Sequence, residues 1–202
     1  EAWLDGELRR LQYMKEIVRN QRDVLAVAHR IHCDTVAIEE WPVANLIYSR
    51  PVRALLQAGD ETGVERVIME HMRYMMEHEL TTGQVFGAMV RTEDCLGPDG
   101  ETGLFARFFT VTTKSLAHVP ADLCAVRPAG RYLVTYFKGD YMKTGPAYAR
   151  LRRWLQAHSE WQAGDYSYEE SILEDLSTAN PQEYITRVAV PLQQSGDKRG
   201  DR

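Results

Sequence analysis

Residues 166–192, YSYEESILEDLSTANPQEYITRVAVPL, hold the pattern that decides this fold. Two β-prone runs, 166–173 and 184–191, flank an acidic, turn-rich loop, which reads as two strands at the end of the chain. The first run carries adjacent carboxylates, Glu169 and Glu170, among aromatic residues. Side chains alternate faces along a strand, so the two point in opposite directions and do not form an acid–base pair. On a regular strand at most one of them points inward. Tyr166 and Tyr168 share the Glu170 face, while Tyr184 arrives on the following strand. One carboxylate among aromatic rings suits a pocket for a greasy or cationic small molecule better than it suits a reaction.

Upstream of this stretch the pattern occurs twice. Residues 35–40 and 45–49 read as strands around a Trp41–Pro42 break. A helix follows, with Thr62 and Glu65 at capping-box spacing and Val64, Ile68, Met72, Met75 and Met76 on one apolar face to about Leu80. Residues 84–91 and 104–113 are two further strands across a GPDGETG turn. The plan restarts near Pro120, with strands over 123–127 and 131–137 around Pro128. A helix over 146–159 has Pro146 in its first turn, and the final two strands follow. Strand, strand, helix, strand, strand therefore appears in two halves, with Pro42 and Pro128 at equivalent places. This predicts an α+β domain with helices on one sheet face and a concave pocket where the halves meet.

Residues 4–30 form a long amphipathic helix. Leu4, Leu11, Val18 and Leu25 recur at heptad spacing, and Met14, Ile17, Gln21 and Val24 make a neighbouring stripe. Two readings are open: a helix packed on its own domain, or a dimerising coiled-coil arm. The helix's length and the lack of an immediate partner helix favour the arm.

The chain has 202 residues and a formal net charge of −5. No basic face is on offer for phosphate neutralisation, so nucleic-acid binding by this chain alone is not expected. Cys33, Cys95 and Cys124 are odd in number and lack CxxC spacing, as in reduced cytoplasmic proteins. No apolar run is long enough for a membrane span. His71 and His78 lie on the Met-rich helix without an HExxH motif or a cysteine partner, so no metal site is expected. The first residues read as the middle of a helix, which points to a fragment lacking its N-terminal part.

The restart RPAGRYLVTYFKGDY, the helix PAYARLRRWL and the ending YEESILEDLSTANPQEYITRVAVPL together resemble the GyrI-like effector-binding domain. The resemblance covers about residues 33–192. The leading LDGELRRLQYMKEIVRNQRDVLAVAHRI is similar to the linker helix that precedes such a domain in MerR-type regulators and pairs antiparallel in a dimer. It implies a fold of duplicated β-α-β-β halves around a central ligand pocket, preceded by a dimerisation helix. The expected layout is a linker helix over 1–30, an effector domain over 31–193 and a disordered tail over 194–202. The implied function is the ligand-sensing and dimerising part of a multidrug-responsive activator in the cytoplasm. Its effector would be a cationic or aromatic drug-like molecule. Its partner would be a second copy through the N-terminal helix. Promoter DNA would be met only through a domain absent from this chain, and neither a cofactor nor a membrane is implied.

In multidrug-binding members a buried glutamate on the penultimate strand meets the drug and tyrosines wall the pocket. Glu169 matches that glutamate best, with Ser171 standing where the family has tyrosine, and Glu170 is the alternative. Tyr184 matches the terminal pocket tyrosine. Phe86, Phe105, Phe109, Tyr141 and Tyr148 are placed at the sheet faces or pocket rim, as core or as ligand wall. Trp41 and Trp154 read as core or helix packing. Two other functions stay open: a GyrI-like hydrolase acting on strained electrophiles, with Glu169 and Tyr184 as its acid–base groups, and a protein-binding inhibitor.

Overall fold

The computed structural model describes residues 2–28, 31–97, 100, 103–174 and 178–195. A long helix α1 (Ala2–Ala28) leads into β1 (Val36–Trp41) and β2 (Ala44–Tyr48). Next come a short α2 (Arg53–Gln57), α3 (Glu61–Glu77), β3 (Phe86–Arg91), a single turn α4 (Thr92–Cys95) and β4 (Phe105–Thr112). The second half runs β5 (Cys124–Arg127), β6 (Gly130–Lys138), α5 (Gly145–Ala157), a short β7 (Trp161–Ala163), β8 (Tyr166–Leu173) and β9 (Ile185–Gln194).

All strand pairs are antiparallel, in the order β1-β6-β9-β8-β3-β4-β2-β5, with β7 added on β9. Exchanging the halves (β1 for β5, β2 for β6, β3 for β8, β4 for β9) turns this order into its own reverse. The sequence repeat is thus a two-fold relation in the sheet. Each half lends its first strand to the other half's edge, which interlocks the two. The axis passes between β3 and β8, where Gly87 faces Glu170 and Ala88 faces Glu169.

One sheet face is covered by α2, α3 and α5, whose apolar residues join Ala88, Val90, Phe105, Phe108, Leu133, Val188 and Val190 in the main core. The other face carries an aromatic cluster of Trp41, Phe109, Tyr132 and Tyr168, with Tyr48, Tyr136 and Tyr166 packed against it. The α+β class, the duplicated plan and the leading helix all agree with the sequence reading.

Several local expectations need correction. The N-cap of α3 is Asp60, whose carboxylate accepts from the Gly63 amide at 2.9 Å; Thr62 and Glu65 do not form a capping box there. Gly63, Val67, His71 and Met75 are its buried stripe, whereas Met76 lies exposed. The short α2, α4 and β7 had no legible signal, because four or five residues make little more than one helical turn and show no repeat, and a three-residue strand barely alternates. The tail expected to be disordered begins inside β9: Gln194 pairs with Trp161, and the Ser195 amide bonds to the Glu160 carbonyl at 2.8 Å. Residues 196–202 lie outside the described residues, as do 29 and 30 of the predicted linker helix.

The two stripes of α1 divide its work. Ile17 and Val24 turn toward the domain, and Val24 joins Val85, Ile172 and Ile185 in a small apolar cluster. Asn20 Nδ2 donates to the Thr82 carbonyl at 2.6 Å, and Thr113 Oγ1 donates to Glu16 at 2.8 Å. Leu4, Leu11, Val18 and Leu25 point outward. Gly83 makes this docking possible. Its φ of +69° favours glycine, and a Cβ there would run into the Ile17 carbonyl. We therefore expect Gly83→Ala to cost about 1–2 kcal/mol from backbone strain alone, with more lost as α1 is displaced. Urea denaturation reads the first effect, and faster amide exchange confined to α1 and its contacts reads the second.

Candidate functional site

Strand β8 presents two carboxylates back to back, and the fold buries both: Glu169 is 4% exposed and Glu170 0%. Alternation does split them across the sheet. The expectation that only one would point inward fails, because this sheet has packing on both faces.

Glu169 lies under α5. Its Oε1 accepts from the Tyr148 hydroxyl at 2.8 Å and from Thr144 Oγ1 at 3.2 Å. The Tyr148 oxygen is also 3.0 Å from Ser167 Oγ. No cation meets this carboxylate in those bonds. Burial pushes its pKa up to about 7, against the lowering effect of the hydrogen bonds from Tyr148 and Thr144. Burial likewise raises Tyr148 well above the ordinary phenol value and the neighbouring Cys95 thiol up to about 12.

Glu170 is held differently. Arg127 Nη1 donates to its Oε1 at 2.6 Å, and Arg187 donates to its Oε2 through Nε at 2.7 Å and through Nη2. The two guanidiniums lie over aromatic rings. Arg127 is 4.4 Å from the Trp41 ring centroid, 5.6 Å from Tyr168 and 5.9 Å from Tyr132, and Arg187 is 4.7 Å from Trp41. Trp41 stacks on Tyr132 at 4.6 Å and donates through Nε1 to Glu39 at 2.7 Å. Gly87, across the ladder from Glu170, has no room for a Cβ against Phe109 and the Glu169 carbonyl.

Beside this cluster is a cavity of ≈120 Å³ lined by Arg127, Glu170, Arg187, Gln84, Val85, Val111, Ile172 and Val24 of α1. A wider depression of ≈460 Å³ at Leu96, Arg152, Leu155 and Gln156 is lined by residues of the helix side and includes neither carboxylate.

The residues singled out in the sequence therefore separate. Tyr148 meets Glu169, and Phe86 and Phe105 belong to the same helix-side core. Tyr184 lies one residue before β9, beyond the Leu173–Ile185 pair at the end of β8, and stacks on Tyr141 with ring centroids 6.3 Å apart. It is not among Glu169's hydrogen-bond partners, so the acid–base pairing of Glu169 with Tyr184 is not assembled. Glu170 is the carboxylate on the aromatic face. Arg127, Arg187 and the rings of Trp41 and Tyr132 were not singled out as site residues. Arg187 had a signal: it is the one charged residue in the run ITRVAVPL, and it lies directly opposite Glu170 across the β8–β9 ladder.

Among the described residues, no group of three or more His, Cys, Asp or Glu side chains is placed to hold a metal ion. None of the described helices is long and apolar enough to cross a membrane.

No family model and no curated protein sequence matches this chain. Solved structures do. The EcmrR–DNA complex in EcmrR-RPo, determined by cryo-EM, superposes with a TM-score of 0.59 at 18% identity, covering 94% of this chain and 71% of that one. SAV2435 bound to tetraphenylphosphonium superposes with a TM-score of 0.51 at 12% identity, covering 79% of this chain and 94% of that one. The fold is GyrI-like. The match to EcmrR extends over nearly the whole chain. Within the GyrI-like sheet, the β3–β8 seam carries one carboxylate on each face.

Glu169 gives a pH test. Its folded pKa, about 7, lies above the ordinary 4.5. The protonated folded form is thus favoured, and this contribution is complete below pH 4.5 and is lost as pH rises to about 7. Glu169→Gln keeps an acceptor for Tyr148 and Thr144 and removes the loss. The stability of the variant minus that of the native chain should grow between pH 4.5 and 7 by about 3 kcal/mol at most, then level off. His71 runs the other way, since burial lowers its pKa to about 4, but it is present in both proteins and cancels. Denaturation midpoints across pH 4–8 measure the difference.

Proposed function

We propose that this chain is the effector-binding and dimerising part of a MerR-type transcription activator, and that it senses a small aromatic molecule on the Glu170 face. The observation that carries the reading is the shared lining of the ≈120 Å³ cavity, with Glu170, Arg127 and Arg187 on the sheet side and Val24 on α1. A molecule entering there touches the charged centre of the sheet and the leading helix at once. Its differential contact with two positions of α1 would bias that helix, as ligand control of a distant site requires. The GyrI-like fold supports this reading, as does the extent of the likeness to EcmrR, which was solved on DNA.

The outward stripe of α1 supplies the second half of the proposal. Trp3, Leu8, Leu11 and Val18 are each 60% exposed or more, an apolar seam of the kind that pairs with a second copy of itself. On this reading DNA would be reached through a domain outside this chain, and the protein would work in the cytoplasm. We favour sensing over hydrolysis because Glu169 and the Tyr148 hydroxyl that donates to it are sealed in the core.

Light scattering of the native chain should give a dimer. The double variant Leu11→Glu/Val18→Glu should be a folded monomer whose melting temperature no longer depends on protein concentration. For sensing, single-ring aromatic molecules of either charge are screened by thermal shift, and active ones are repeated on Val24→Trp, which fills the cavity from the α1 side. Any shift should vanish in that variant. A panel in which no molecule of any charge shifts the native chain would overturn the sensing role.

A further inference from the structure

The GyrI-like resemblance implies a cationic effector, but the charges on this face are those of a site for the opposite sign. Two guanidiniums share one carboxylate, and Glu170 has both oxygens engaged by them. Glu39, another carboxylate of this sheet face, accepts from Trp41. Arg127 already sits over Trp41, Tyr132 and Tyr168, the place where an organic cation would gain its ring contacts. An incoming cation would find its carboxylate neutralised and its aromatic faces covered.

An anion meets the reverse situation. Arg127 is 6% exposed, lines the cavity, and its Nε–H has no hydrogen-bond partner among the described residues. A buried guanidinium donor without an acceptor is unfavourable, and a charged acceptor relieves it. Arg187 lines the same cavity and reaches farther toward solvent, with 21% of its side chain exposed. Of the remaining walls, Val24, Val85, Val111 and Ile172 are apolar and Gln84 is polar. The volume, ≈120 Å³, is well below the roughly 300–1,000 Å³ of sites for drug-sized ligands, so it admits one ring and not several.

We propose that this cavity binds a single-ring aromatic acid, whose carboxylate bridges Arg127 and Arg187 while its ring lies between α1 and the sheet. The proposal rests on the reading of this face as the sensing site. Glu170 then acts as an internal competitor: it holds both arginines in place while the cavity is empty and lowers affinity for the acid by sharing them. This gives a signature that a cation site cannot share. Replacing Glu170 should strengthen binding of the acid, whereas at a cation site the same change removes the anchor.

The test uses the native chain with benzoate, its neutral amide benzamide, benzyltrimethylammonium, and acetate as a control for a bare anion. Thermal shift and calorimetric titration should show benzoate binding, with the other three giving little or none. Arg187→Gln should weaken benzoate about tenfold or more, by loss of a charge-assisted contact. Glu170→Gln should bind it more tightly than the native chain. If Glu170→Gln fails to fold, Arg187→Gln and the ligand series on the native chain still decide.

Binding of benzyltrimethylammonium in place of benzoate, lost in Glu170→Gln, overturns the acid assignment and leaves effector sensing standing. An acetate response equal to that of benzoate overturns the aromatic part. No response to any of the four overturns both the assignment and the sensing role of this face.

Discussion

The structure turns on how one carboxylate is buried at the seam between two halves. Glu170 lies on β8 opposite Gly87 of β3, beside the pseudo-two-fold axis. Arg127 comes to it from the edge strand β5, and Arg187 from β9 next door. Three charges with little or no solvent carry a large desolvation cost, which their mutual attraction repays only with good geometry. Bonds to both carboxylate oxygens and the stacking of both guanidiniums on Trp41 supply that geometry. Strands β1, β5, β8 and β9, spread across the sheet, are thereby tied to one point. A one-residue slip of β8 would exchange the faces of Glu169 and Glu170 and send Tyr166 and Tyr168 to the helix side, so the aromatic cluster and the clamp together fix the register.

Much of this was legible in the residues. The two-fold plan showed as a repeated order of elements punctuated by Pro42 and Pro128, and in the sheet it became a palindromic strand order. Strand alternation separated Glu169 from Glu170 without any coordinates. Which carboxylate faces the aromatic rings was not decided by the closest family match, Glu169, but by Tyr166 and Tyr168, which share a face with Glu170. The clamp itself was hidden for a physical reason. An arginine on a strand ordinarily lies in solvent, and Arg127 meets Glu170 only because β5 and β8 come from separate parts of one sheet. Trp41 read as core, and it is core, yet its ring is also where both guanidiniums lie.

Helix α1 shows how one amphipathic pattern can serve two surfaces. The sequence offered a helix packed on its own domain or a helix free to pair, and the structure has both on one element. Ile17, Asn20 and Val24 dock on the sheet while Leu4, Leu11, Val18 and Leu25 stay outside. The docked stripe is thin: an apolar contact around Val24, a few hydrogen bonds, and the close approach at Gly83. Such an attachment holds a helix in place but leaves it responsive to a change of a kilocalorie or two, the typical scale of coupling between sites.

The two faces of β8 solve one problem in two ways. A carboxylate removed from water must be neutralised by a counter-charge or by a proton. Glu170 takes the first course and Glu169 the second, since Tyr148 and Thr144 offer it hydrogen bonds but no charge. The difference follows from what each face is built of. The helix side is a packed apolar core, and a protonated carboxyl fits there as a hydrogen-bonded polar group. The aromatic side has rings whose faces attract cations, so arginines can be brought into the interior at tolerable cost and meet the carboxylate there. Charge on the Glu169 side consequently varies with pH near neutrality, while the Glu170 side sets two guanidiniums against one carboxylate, on the face against which α1 is docked.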